Sequence, residues 1–334
     1  MKILIVRYSS IGDIVLTTPV IRCVKKQTGA QVHYVTKKAF KTIIESNPYV
    51  DKAFYIDDEN YNSIVEQLQM EAYDYVIDLH NNVRTLKLKR LLKRKTFSFY
   101  KLNIQKWLLT ALKINVLPKK VHIVDRYMDT VKSLGVKNDG AGLDYFIPEK
   151  DQIKDSDLPL SHVAGYIGVV IGAALGTKQL PVEKIKAICT AIDHPLVLLG
   201  GKEDAANGEL IAAIDPIKIY NACGKFNLNE SADLVRKSKF IITHDTGLMH
   251  IATAFNKRVV SIWGNTVPDF GMYPYYGERF LQTRSQLPYE IVETKGLWCR
   301  PCSKIGFKTC PRGHFKCMKR ISVEEVVAAV QRVW

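Results

Sequence analysis

FIITHDTGLMHIATAFNKRVVSIWGNTVP, residues 240–268, settles the fold class. The apolar run Phe240–Thr243 ends in His244-Asp245-Thr246-Gly247. Leu248, Ile251, Ala252 and Phe255 follow at helical spacing, and a second apolar run, Val259–Trp263, stops at Gly264. The pattern is strand, tight turn, helix, strand, with Asp245 placed to cap the helix. A helix N-terminus carries unsatisfied N–H groups and a positive dipole end, and Gly247 lets an anion approach the backbone. An ordinary capped helix in a parallel sheet gives the same pattern. Thr246 and His250 on the first turns add polar groups that such a helix does not need, and they point to a ligand at the strand ends.

The same alternation runs outward in both directions. Upstream, strands are expected at 2–7, 32–36, 52–56, 75–79 and 96–99, with helices between them and at 104–112 and 124–134. The stretch EKDQIKDSDLPLSH after Pro148 is polar and aperiodic and reads as a linker. From Gly165 the alternation restarts, with strands at 166–171, 196–199 and 218–221 and helices at 182–193, 205–214 and 230–237. Strands alternating with helices of this length form βαβ units and parallel sheets. The expected architecture is α/β, two Rossmann-like domains facing each other across a cleft. The first spans 1–150, a linker 151–164, and the second 165–320. A terminal helix, 321–334, is free to pack back on the first domain.

Composition narrows the function classes. A 334-residue chain with 47% apolar and 24% charged residues is globular and long enough for two cores. No segment is apolar enough to span a bilayer, and the first apolar run is too short for a signal peptide. A cytoplasmic enzyme is expected. The charge is localised: residues 79–124 hold 12 Lys and Arg and no acid, and residues 294–323 hold 8 and none. Such faces meet anionic partners. Interleaved leucines suit a membrane surface, although they could equally be core. No helix-turn-helix, zinc-finger or RNA-binding signature is present, and aromatics do not cluster in the basic stretches. Nucleic acid is therefore not the expected partner.

Three further turns carry chemistry. Tyr8-Ser9-Ser10-Ile11-Gly12-Asp13 has one glycine where a dinucleotide fingerprint needs three, and no Walker P-loop occurs. It places a carboxylate at a strand-to-helix tip, where Asp13 is either a dipole-stabilised helix acid or a reactive group. Gly172 to Pro181 puts Thr177 and Lys178 just ahead of a helix, where a lysine can neutralise phosphate. Gly200-Gly201 ends the next strand, either as a simple turn or as a close approach to a nucleotide.

Together these residues resemble glycosyltransferase family 9, the ADP-heptose:lipopolysaccharide heptosyltransferases of GT-B fold, over nearly the whole chain. The marks are Arg7-Tyr8-Ser9-Ser10-Ile11-Gly12-Asp13, Asp78-Leu79-His80 with Arg84, Lys178 ahead of Pro181, Asp245-Thr246-Gly247-Leu248-Met249-His250, and Trp263-Gly264-Asn265-Thr266-Val267-Pro268. The resemblance implies an inverting transferase that needs no metal for catalysis and moves heptose or a related sugar from an ADP-sugar to a lipopolysaccharide core acceptor. It implies that Asp13 is the general base and that Lys178 holds the diphosphate, with Thr177, Gly200, Gly201, Asp245, Thr246, Gly247 and His250 around the nucleotide. Ser10, Gly12, Arg84 and Arg90 are the expected contacts to an anionic glycolipid (lipopolysaccharide core on lipid A) at the inner face of the cytoplasmic membrane. A related GT-B enzyme using another nucleotide sugar, as transferase or epimerase, is the first alternative, and a nucleic-acid-binding protein, suggested only by net charge, is the second.

Cys299, Cys302, Cys310 and Cys317, with His314 among them, stand apart from this scheme. Two closely spaced pairs are how structural zinc sites look, but the spacing is not a common finger pattern. Structural zinc and reduced thiols both fit.

Overall fold

The computed structural model describes residues 1–333, and residue 334 of the expected terminal helix lies outside them. The chain forms two compact units. The first comprises Met1–Lys101, Val121–Phe146 and Gly277–Arg279; the second comprises Leu102–Lys120, Ile147–Tyr276 and the described residues from 280 onward.

The first unit is built on five parallel strands: β1 (Lys2–Val6), β2 (Gln31–Lys37), β3 (Lys52–Ile56), β4 (Tyr75–Asp78) and β5 (Lys95–Ser98), in the order β3-β2-β1-β4-β5. β1 is central, with Ile5 opposite Tyr34 on one side and Ile77 on the other. Ile3 to Val6 are all buried, as a strand covered on both faces requires. The single helix expected after β1 is two, Ile11–Val15 and Thr18–Thr28. Pro19 explains the break, because it lacks an N–H and is tolerated only in a first turn.

The second unit carries six parallel strands: β6 (Ile167–Val170), β7 (Leu196–Leu199), β8 (Ile219–Asn221), β9 (Phe240–His244), β10 (Arg258–Trp263) and β11 (Tyr289–Glu293). Their order is β11-β10-β9-β6-β7-β8. β11 was not expected. It is an edge strand, mostly half-buried, whose Glu290 and Glu293 hide the apolar pattern.

Three expectations about organisation are corrected. The terminal helix Val323–Val333 does not pack back on the first unit: Val326, Ala329, Val330 and Val333 join the second core with Val260, Ile262 and Val292. The basic segment Leu102–Lys120 also belongs to the second unit, where Leu102, Leu109 and Leu117 pack with Val267 and Phe270. The stretch after Pro148 is pinned rather than a loose tether. The Ile153 amide donates to Asp233 at 2.8 Å, the Asn229 amide donates to Asp151 at 2.7 Å, and His162 Nε2 lies 3.1 Å from the carbonyls of Leu196 and Lys218.

Candidate active site

In a doubly wound sheet, ligands gather at the carboxyl ends of the strands where the strand order reverses. In the first sheet the chain leaves β1 for β2 and β3, then returns on the other side as β4, so the switch lies between β1 and β4. Arg7, just past β1, is fixed across it. Its Nη1 donates to Leu79 O at 2.5 Å and to Tyr127 Oη at 2.9 Å, and its Nε donates to Ser9 O at 2.7 Å. Nη2 reaches Asp13 Oδ1 at 2.7 Å. Asp13 is the third residue of its short helix. It accepts from the Ser10 hydroxyl at 2.8 Å and, more weakly, from the Ser10 amide at 3.3 Å. Asp13 is a helix-start acid, and its carboxylate is charge-compensated, oriented and 20% exposed.

Ser10 is exposed but directs its hydroxyl at Asp13, and Gly12 is buried. His80 flanks this centre, with its ring 5.5 Å from that of Tyr8. Burial, then Arg7 and Lys101, push the imidazole down to about 4. Arg84 is exposed and lines a cavity of about 160 Å³ with Tyr8, Lys37, Lys38, Tyr61 and two carboxylates, Asp57 and Asp58, the first of them 3.8 Å from Lys38. Arg90 is exposed and lies outside that lining. Arg7 was quoted in the sequence as part of a pattern but given no role there. Its signal was a lone arginine closing the apolar run KILIV.

In the second sheet the switch lies between β6 and β9. Lys178, in the turn Gly176–Lys178 beyond β6, places Nζ 2.6 Å from Asp245 Oδ2, at the end of β9. Nζ also donates to the Asp245 carbonyl at 3.3 Å, and the Thr266 hydroxyl donates to Oδ2 at 2.9 Å. The lysine side chain is 19% exposed and the aspartate 9%. Beside the pair, Leu180 N donates to His244 Nε2 at 3.0 Å, and burial pushes His244 down to about 4.

This geometry corrects two assignments. Asp245 does not cap the following helix. Its carboxylate is committed to Lys178 and Thr266, and the N-cap of Gly247–Ala254 is Thr246, whose hydroxyl lies 3.3 Å from that of Thr243 and makes no cap bond. The first-turn N–H groups are thus left without a side-chain cap, as an anion site needs. Thr177 does not offer its hydroxyl to a ligand: the hydroxyl donates to Phe307 O at 3.0 Å and accepts from Phe307 N at 2.8 Å. That exchange clamps the Lys178 turn to the cysteine-bearing segment.

Gly200 and Gly201 close around Asp204, whose Oδ2 accepts from Gly201 N at 2.9 Å. A Cβ on Gly172 would fall 2.0 Å from that oxygen, so the glycines here serve close packing. Gln179 donates to Ala173 O at 2.9 Å and lies 3.5 Å from Asp204 Oδ1, so the turns after β6, β7 and β9 do converge. His250 is buried one turn into the helix. Sequence reasoning quoted Asn265 but gave it no role. It is 1% exposed, and neither side-chain amide atom is hydrogen-bonded within the chain.

The four clustered cysteines form no disulfide. Burial, then neighbouring Cys302 and Cys310, push Cys317 up to about 11. Among the described residues, no three His, Cys, Asp or Glu side chains are arranged to hold a metal ion.

Each sheet thus has a switch point with a cation–carboxylate pair at its mouth. The sequence model of glycosyltransferase family 9 (heptosyltransferase) covers residues 61–293. The chain belongs to glycosyltransferase family 9. This family-9 glycosyltransferase is 25% identical to lipooligosaccharide heptosyltransferase 2 of Campylobacter jejuni across 347 aligned positions, spanning 100% of this chain and 99% of that one. It is 24% identical to lipopolysaccharide heptosyltransferase 1 of Campylobacter coli over 298 positions, 80% of this chain and 84% of the relative.

The family-9 glycosyltransferase structure from Veillonella parvula superposes with a TM-score of 0.74 at 22% identity, over 99% of this chain and 96% of that one. An Escherichia coli heptosyltransferase solved with ADP-2-deoxy-2-fluoro heptose gives 0.68 at 20% identity, over 99% of each. The fold is GT-B, with two Rossmann-like domains.

Proposed function

We propose that this enzyme transfers heptose from ADP-heptose to a lipopolysaccharide core acceptor, with inversion at the anomeric carbon. The observation that carries the reading is the Lys178–Asp245 pair, set across the β6/β9 switch beside a helix end that lacks a side-chain cap. A cation and helix N–H groups at that point suit a nucleotide diphosphate. The E. coli heptosyltransferase crystallised with an ADP-heptose analogue has the same fold, which supports an ADP-sugar donor.

The chemistry divides between the two units. The Asp13 carboxylate takes the proton of an acceptor hydroxyl, and that oxygen attacks the anomeric carbon. The bond from the anomeric carbon to the diphosphate oxygen breaks, and its electron pair leaves with ADP. Lys178 and the first-turn N–H groups from Gly247 onward receive the developing negative charge. Arg7 and Ser10 hold Asp13 in one orientation. Arg84, with Lys37 along the cavity at the ends of β2 and β3, meets anionic groups of the acceptor, while Asp57 and Asp58 accept from its hydroxyls. Because that acceptor is a glycolipid, the enzyme works at the cytoplasmic face of the inner membrane.

The test is a donor screen. Purified enzyme is incubated with ADP-heptose, ADP-glucose, UDP-glucose or GDP-mannose and de-acylated core, and products are read by mass. A heptose increment with the ADP donor alone is the expected result. An increment with any other donor, or none with ADP-heptose, rejects the donor assignment.

A further inference from the structure

Large apolar side chains stand exposed along the two basic stretches of the second unit. Trp107 is 57% and Trp298 65% exposed, and Leu112, Ile114 and Ile305 are each at least half exposed. The inner side of the first stretch is already satisfied: Leu102, Leu109 and Leu117 pack on Val267 and Phe270. Lys113 joins the two stretches, donating to Pro301 O at 2.7 Å and Cys299 O at 3.4 Å. The Arg312 guanidinium lies 4.9 Å from the Trp298 ring centre. Where the stretches meet, Lys113, Arg300 and Trp298 line a cavity of about 440 Å³.

Charge identifies what covers this knuckle. Residues 102–120 and 294–320 contribute 12 Lys and Arg and no acidic residue, and of these Arg300 is neutralised by Glu293 at 2.7 Å. Exposed indoles and branched aliphatics set among cations fit the interfacial region of an anionic bilayer, where rings lie at headgroup depth and lysines face phosphates. A protein partner would need acidic groups matched to each cation, whereas a lipid surface needs only negative charge and a soft apolar layer. Among the described residues, no helix is long and apolar enough to cross a membrane, so contact is with the surface.

We infer that the knuckle formed by Leu102–Lys120 and residues 294–320 is the membrane-docking surface of this enzyme and binds anionic phospholipid. The inference rests on the glycolipid acceptor proposed above but uses residues outside the Asp13 and Lys178 centres. Docking there keeps the second unit at the surface from which a lipid-anchored acceptor projects.

The test is flotation of the full chain with vesicles of phosphatidylglycerol and phosphatidylethanolamine, against phosphatidylcholine vesicles. Wild type floats with the anionic vesicles alone, and added salt weakens the association. Trp107→Ser/Trp298→Ser lowers partitioning about tenfold or more. Lys119→Gln/Lys120→Gln, which leaves the apolar groups intact, lowers it by roughly 25-fold, about fivefold per lysine. Both variants keep wild-type transfer to de-acylated core. Wild type that ignores anionic vesicles, or variants that float like wild type, overturn the inference, as does binding of a single-stranded oligonucleotide through these residues in place of vesicles. Loss of transfer to de-acylated core by wild type sinks the catalytic reading instead, whatever the vesicles show.

Discussion

Replacing Lys178 with methionine separates two roles that one ion pair combines. Nζ lies 2.6 Å from Asp245 Oδ2, with both side chains largely buried. At an effective dielectric of about 20 the direct attraction is ~6 kcal/mol, most of it offset by desolvation of the two charges. Methionine keeps the aliphatic stem but strands a carboxylate whose remaining hydrogen bond comes from Thr266. Breaking a fully buried pair from one side costs about 3–5 kcal/mol, and partial exposure here brings the expected loss of stability to about 2–3 kcal/mol. A charge-assisted hydrogen bond to phosphate contributes about 1.5–3 kcal/mol, so losing it weakens ADP by roughly 10- to 150-fold. Asp245, no longer neutralised, adds repulsion toward the diphosphate.

Lys178→Met/Asp245→Asn tells these terms apart. It removes the stranded charge, so most of the stability returns, while ADP binding recovers only the part lost to repulsion. Urea denaturation and calorimetric titration with ADP measure both quantities on the same preparations. If Lys178→Met binds ADP within about twofold of wild type, or the double variant is as unstable as the single, the lysine is not the diphosphate's counter-charge and the argument fails.

Three further outcomes follow from the geometry. Asp13→Asn preserves the shape that Arg7 and Ser10 hold but cannot accept a proton. ADP affinity should stay unchanged while turnover falls by about 10²–10⁴, and near-normal turnover would remove Asp13 as the base. Acid should destabilise the fold through His244, whose value falls from 6.5 to about 4 because it is buried. The unfolded chain then binds the extra proton, so this contribution is complete above about pH 6.5 and is lost as pH falls toward 4. At pH 5.5 the loss is on the order of 1 kcal/mol, and His244→Asn should flatten the wild-type stability profile between pH 7.5 and 5.5 by that amount. In Gly176→Ala the new Cβ would lie 2.4 Å from Lys308 O, a backbone atom, so the turn bearing Lys178 must move. A loss of about 1–3 kcal/mol in stability with several-fold weaker ADP binding is expected, and unchanged ADP binding would show that the turn's placement does not matter.

What the sequence disclosed was whatever local pattern encodes. Every strand of both sheets except β11 could be placed within a residue or two, because buried parallel strands are continuous apolar runs and each turn carries its own signal. β11 was illegible because an edge strand needs only one buried position, and Val292 supplies it. The errors at the site have another origin. Asp245 sits where a cap belongs, and only Lys178, 67 positions away, shows why it does not serve as one. Thr177 stands beside Lys178 but is held by Phe307, 130 positions on. Likewise, the leucines of residues 102–120 gave no hint of which core they would join, since amphipathicity marks a buried face and not its partner.

The two cation–carboxylate pairs have opposite polarity, and this bears on which unit does what. At the first switch point Arg7 is 9% exposed and Asp13 20%, so the carboxylate is the outward partner. At the second, Asp245 is 9% exposed and Lys178 19%, so the cation is outward. In each case the more buried partner compensates and orients the more exposed one, which on the proposed reading is the one that meets the ligand. A proton acceptor on one unit and a positive group for a leaving diphosphate on the other are the two demands of glycosyl transfer without covalent catalysis. Reversing either pair, as Arg7→Asp/Asp13→Arg or Lys178→Asp/Asp245→Lys, conserves net charge and composition yet turns the wrong group outward. Transfer should then be lost, and retention of transfer by either swap would mean that the pairs are structural and the chemistry lies elsewhere.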